Sequence, residues 1–273
     1  MLSPIETIIN ATVEEVLASY DANYGLLEPD LPNIAAWATR TSLELIRRSD
    51  ALYHNAEHTA QVVSVGLEII RGRHIKKGGV SPQDWLNYVV ALGCHDIGYV
   101  RGVCLDDTEG RYITGVGNEF VELTGVTDAA MTPYHVDRGK TFVRQRFFGR
   151  PYLDVDQICR NIDQTRFPVP ESGDSEETDD YPGLVRAADL IGQLGDPRYL
   201  QKLPALYYEF VETGAAEKLK VSNPLELRKN YPSFFWNVVR PYITDAIEYL
   251  KVTSEGQRWV ANLHSNVFEV EHE

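Results

Sequence analysis

The feature that most constrains this chain is its apolar periodicity, which repeats every three to four residues over most of its length and almost never every second residue. From Thr7 to Tyr20 the positions Ile8, Ile9, Val13, Val16 and Leu17 form one stripe, which is the signature of a helix buried on one side. The same reading predicts helices over about 33–48, 55–71, 85–95, 184–194, 199–213, 234–250 and 257–266. Ser81-Pro82-Gln83-Asp84 carries the start signals of a helix: a capping hydroxyl, a proline in the first turn and an acid three residues after the cap. Thr132-Pro133 opens a further helix, which stops at Gly149-Arg150-Pro151. Glycines at 102, 110, 115, 117 and 125 interrupt any pattern between 101 and 130, where a loop or short helices are expected. Glu171 to Asp180 is rich in acids without a base and reads as a solvated loop. The expectation is one all-α domain over 1–273, a helical bundle without internal repeats.

Charge and cysteine content narrow the function classes. The 273 residues carry 26 basic and 40 acidic side chains, a net charge of −14, which argues against a large nucleic-acid partner. Three cysteines, none in a CxxC pair, exclude a disulfide scaffold and read as thiols in a reducing cytoplasm. No apolar run approaches the roughly 18 residues of a membrane helix, and residues 1–10 lack the pattern of a targeting signal. The expectation is a cytoplasmic protein with no membrane partner; a homo-oligomer is compatible with the aromatic C-terminal region.

Three short strings carry chemistry. Tyr53-His54-Asn55-Ala56-Glu57-His58 places two imidazoles four residues apart. They share a face if both are helical; if Asn55 caps the helix, His54 sits just ahead of it. Cys94-His95-Asp96 ends an apolar helix, and Asp189 interrupts the apolar stretch Val185 to Ile191. Charges in such surroundings are tolerated when paired or bound to a metal. Asp189 has Arg186 and Arg198 as alternative partners. Taken together, His58, His95, Asp96 and Asp189 offer two neutral nitrogens and two anionic oxygens, a set that suits Mn, Zn, Fe, Co or Ni better than an all-oxygen Mg or Ca cage. Helices distant in sequence must converge to form it, as they do in bundle metal sites.

The order His58, His95-Asp96, Asp189 on a helical chain resembles the HD superfamily of metal-dependent phosphohydrolases, over roughly residues 50–195. The Tyr53-His54-Asn55-x-x-His58 string is also similar to the signature of class I cyclic-nucleotide phosphodiesterases, a branch of that superfamily. The resemblance implies an HD-type metal-binding core at about 50–195 with flanking N- and C-terminal helices. It implies that His58, His95, Asp96 and Asp189 bind one or two divalent transition-metal ions, with Asp96 as the bridge and Mg as a candidate at a second site. It implies that His54 is the acid protonating the leaving oxygen, and that the substrate is a small phosphoester, a nucleotide among the candidates. The pattern departs after Asp96, where Ile97-Gly98-Tyr99 follows without the further histidine of the phosphodiesterases. His135 is similar to an additional metal histidine of HD-GYP and di-iron members, and is otherwise an ordinary residue at a helix start. Arg166 is the leading candidate phosphate clamp, with Arg101, Lys140 and Arg144 behind it; Gln193, one turn beyond Asp189, faces either substrate or backbone. The rival expectations are an HD-type di-iron oxygenase and a non-catalytic nucleotide- or metal-binding protein.

Overall fold

The computed structural model describes residues 3–124, 126–170 and 177–273. Within them the chain is all-α, apart from one two-stranded antiparallel hairpin. Its helices are α1 (Pro4–Tyr24), α2 (Leu31–Ile46), α3 (Ala56–Lys77), α4 (Pro82–Cys94), α5 (His135–Phe147), α6 (Val155–Asp163), α7 (Tyr181–Leu194), α8 (Tyr199–Glu212), α9 (Ala215–Lys218), α10 (Pro224–Phe234), α11 (Thr244–Leu250) and α12 (Ser254–Glu271). One hydrophobic cluster draws on helices from α1 to α12, and a small satellite gathers Tyr99, Tyr112 and Met131.

The two helices that carry the histidine motifs lie at the centre. Every residue of α4 from Trp85 to Cys94 is buried, so this helix is apolar all round rather than striped. Its start is fixed by the expected capping box: Ser81 Oγ accepts from the Asp84 N–H, and the Asp84 carboxylate accepts from the Ser81 N–H. Helix α3 packs along α7 and touches α1, α4 and α11. The Asn55 carboxamide oxygen caps it, accepting from the N–H groups of Glu57 and His58 at 2.9 and 3.3 Å. Glycines let neighbouring backbones close in. A Cβ on Gly98 would sit 1.9 Å from the His135 carbonyl oxygen, so only glycine lets the turn after Asp96 lie against the start of α5.

Four expectations need correction. The stretch 234–250 is not one helix: α10 runs into a π turn (Phe235–Val239) and a 3-10 turn (Arg240–Ile243) before α11. Pro241 has no N–H to return to the preceding turn, and this breaks the ladder there. Residues 101–130 are not simply loop, because β1 (Arg111–Ile113) pairs with β2 (Phe120–Glu122). That segment is organised by a buried ion pair: Arg138 donates to both Asp107 oxygens at 2.9 Å and to the carbonyls of Gly98, Val100 and Ile113. Helix α6 was not expected; Asp154 caps it by accepting from the Gln157 N–H. Of the acidic stretch, 171–176 lie outside the described residues, but its end is tied down. Asp179 pairs with Lys77 and Tyr249, and Asp180 caps α7.

Candidate metal centre

The three sequence strings meet at one point. His58 leaves the first turn of α3, His95 and Asp96 follow the last turn of α4, and Asp189 comes from the middle of α7. His58 Nε2 lies 3.3 Å from Asp96 Oδ2 and 3.2 Å from Asp189 Oδ1; His95 Nε2 lies 3.1 and 3.6 Å from the same two atoms. Asp189 faces the histidines rather than Arg186 or Arg198.

This donor set fits a metal ion. His58 Nε2, His95 Nε2 and Asp96 Oδ2 are buried, and none of them makes an aligned hydrogen bond despite these short separations. Donors bound at about 2.0–2.2 Å in tetrahedral or octahedral geometry stand about 3–3.6 Å apart, which is the spacing seen. The His95 Nδ1–H donates to the Leu92 carbonyl at 2.8 Å, which fixes the tautomer and leaves the Nε2 lone pair directed at the cluster. The group His58, His95 and Asp189 can therefore hold a metal ion, with Asp96 Oδ2 beside it.

Without a cation, protons take its place. Burial would lower the His95 pKa, but Asp96 and Asp189 outweigh it and hold the ring well above its usual value. Burial would likewise raise both carboxylates, and the histidines instead keep Asp96 and Asp189 well below the usual range.

His54 sits just ahead of α3, as the Asn55 cap requires, and its partner is a residue the sequence reading missed. Glu209, in α8, is buried and places Oε2 2.6 Å from His54 Nδ1. Its other oxygen accepts from the N–H groups of Tyr53 and His54 at 2.7 and 3.2 Å. Burial opposes charge on His54, but Glu209 chiefly, with Asp96 and Asp189, raises it from 6.5 to about 9. His54 is thus an imidazolium at neutral pH, with Nδ1–H on Glu209 and Nε2–H unspent. Glu209 itself is lowered; burial resists, and His54 and the two backbone donors prevail.

Tyr99 occupies the point where the phosphodiesterase-like pattern departs. Its ring stacks on His54 at 4.7 Å and on His135 at 4.4 Å, making a three-ring column. The His135 Nδ1–H donates to the Thr132 carbonyl at 2.7 Å, and burial lowers its pKa, so this imidazole is neutral with Nε2 unspent.

His54, Asp96, Tyr99, His135, Asp189 and Gln193 all line one cavity of about 240 Å³. Gln193 therefore faces the cavity. Arg166 does not line it: its guanidinium is held by Asp137 at 2.5 Å and Asp163 at 2.9 Å, carboxylates it shares with Lys140. Arg101 is similarly held by Asp50 and Asp128, and Arg144 is exposed. Phe210 and Phe234 pack against the main hydrophobic core and also form part of the cavity wall.

The chain is thus an all-α bundle in which two histidines and two carboxylates from distant helices meet in a cluster that could hold a metal ion. Residues 2–273 match a family model described as Npun_R2479-like, and the chain belongs to that family. No curated protein matches it. Among the described residues, no helix is long and apolar enough to cross a membrane.

Proposed function

We propose that this chain is a metal-dependent phosphohydrolase that cleaves a small phosphoester in the cytoplasm, in keeping with its resemblance to the HD superfamily. One observation carries the reading: a single cavity is lined both by Asp96 and Asp189, the carboxylates of the metal-donor set, and by His54, an imidazolium whose second N–H is unspent. His58, His95, Asp96 and Asp189 would hold one or two ions from among Mn, Zn, Fe, Co and Ni, with Mg as a candidate at a second site. A bound ion of this kind supplies Lewis acidity and brings the pKa of water from 15.7 towards ~7.

The chain's own residues do the rest. Glu209 keeps His54 protonated and fixes its ring, so that Nε2–H can be given to the leaving oxygen. Tyr99 prevents that ring from turning away. Asp96, whose Oδ2 lies 3.3 and 3.1 Å from the two histidine nitrogens, would also help to hold a second ion, as the resemblance implies.

A second reading, a di-iron oxygenase on the same scaffold, is favoured by His135, a neutral imidazole with Nε2 unspent beside the same cavity. The test is a phosphoester screen with protein loaded separately with each metal. We expect turnover that is lost with metal in Asp96→Ala, and lost while metal is retained in His54→Gln. Undiminished turnover in His54→Gln would overturn the assigned acid. Dioxygen consumption with two bound irons and no phosphoester turnover would favour the oxygenase.

A further inference from the structure

The cavity has two chemically unlike parts. Asp96 and Asp189 of the donor set and His54 border one part; Leu190 and Leu194 of α7, Leu206 and Phe210 of α8, and Leu227 and Phe234 of α10 wall the other. Among the described residues, no Lys or Arg lines it. Several cations of neighbouring segments are committed to carboxylates: Arg166 and Lys140 to Asp137 and Asp163, Arg101 to Asp50 and Asp128, Arg138 to Asp107, and Lys202 to Glu57 and Asp196; Lys220 and Lys229, adjacent in sequence to lining residues, are exposed to solvent. The chain as a whole carries −14. Along the cavity wall itself, a polyphosphate would find no ammonium or guanidinium group besides the metal and His54 to balance its charge. Its sugar and base would then displace water from leucine and phenylalanine walls without matching them.

Building on the hydrolase reading above, we propose that the cavity selects an amphiphilic phosphoester: a single phosphate at the metal-and-His54 end, carrying a hydrocarbon body that fills the space between α7, α8 and α10. Hydrolysis of such an ester is balanced by water alone. The water oxygen bonds to phosphorus and the phosphorus–oxygen bond to the hydrocarbon breaks, with its electron pair staying on the leaving oxygen. That oxygen takes the His54 Nε2 proton, and a proton from the attacking water restores the imidazolium. The products are an apolar alcohol and inorganic phosphate. Burying a methylene group is worth about 0.8 kcal/mol, so each one added to the substrate should improve recognition about fourfold until the cavity is full.

The experiment has a binding arm and a turnover arm, both on the full-length metal-loaded chain. Binding of unhydrolysable n-alkylphosphonates of increasing length is measured by calorimetry below their micelle concentrations, with adenosine 5′-monophosphate and 5′-triphosphate for comparison. Hydrolysis is followed as inorganic phosphate released from n-alkyl phosphates of the same lengths. The expected result is a Kd falling about fourfold per methylene and then levelling, and a parallel rise in kcat/KM. In Leu227→Lys, which puts an ammonium group in a half-buried wall position, both slopes should flatten. Affinity independent of chain length, no phosphonate binding, or tighter binding of the nucleotides would overturn the proposal. Length-dependent binding without turnover of any ester would instead overturn the hydrolase reading and leave the amphiphile pocket standing. Nucleotide turnover with no length dependence would do the reverse.

Discussion

Replacing Glu209 with Gln should uncouple His54 from its proton while sparing the local backbone. The Gln side-chain oxygen can still accept from the Tyr53 and His54 N–H groups, but its amide cannot balance an imidazolium. The rise of His54 from 6.5 to about 9 is worth about 3 kcal/mol, at about 1.4 kcal/mol per tenfold, and Glu209 is the largest contributor opposing the burial cost. In Glu209→Gln, His54 should therefore titrate near or below 6.5. At pH 8 its protonated fraction would fall from about nine-tenths to about one-thirtieth. The direct assay is a histidine NMR titration of the metal-free wild type and variant. In the turnover assay, the basic limb of the pH–rate profile should move down by the same interval. A raised pKa in folded His54 contributes stability that is fully present below about 6.5 and lost as pH rises through about 9. The lowered pKa of Glu209 contributes above its usual 4.5 and is lost as pH falls through its folded value. The variant should therefore be most destabilised between those limits. A variant His54 still titrating near 9 would refute the reasoning, because Asp96 and Asp189 would then be holding the proton.

Three further outcomes follow from the packing. Gly98→Ala should cost about 1–3 kcal/mol or more by urea unfolding, because its Cβ would collide with the His135 carbonyl; wild-type stability would contradict that close approach. Arg138→Met leaves Asp107 buried without its cation and should cost about 3–5 kcal/mol, with Asp107→Asn coupled to it in a double-mutant cycle; additive effects would contradict the pairing. Metal at 100 times its Kd should stabilise the chain by about 2.7 kcal/mol, visible as a Tm several degrees higher than with chelator, and the difference should vanish in His58→Ala.

Much of the scaffold was legible because its signals are local. Ser81-Pro82-Gln83-Asp84 and Asn55 act through hydrogen bonds within three residues, so the sequence marks where α4 and α3 begin. His95-Asp96 and Asp189 stood out as charges among apolar neighbours, and burial makes them partners. The same signal is present at Glu209, between Tyr208 and Phe210, but a lone acid in an exposed-looking aromatic stretch does not mark itself as buried. Its role depends on α8 crossing the start of α3, 155 residues away in sequence, which no local pattern encodes. The same is true of Arg166, whose charge looked available until Asp137 and Asp163 were brought against it. The stacked column of His54, Tyr99 and His135 and the apolar cavity wall are likewise products of helix packing.

The central claim is that His58, His95, Asp96 and Asp189 form a metal centre, and elemental analysis of protein purified without chelators tests it most directly. One or two equivalents of Mn, Zn, Fe, Co or Ni per chain are expected in the wild type. The metal should be absent from Asp96→Ala that retains its helical circular dichroism. A wild type that holds no metal, takes none up on titration and is unaffected by chelator would contradict the account.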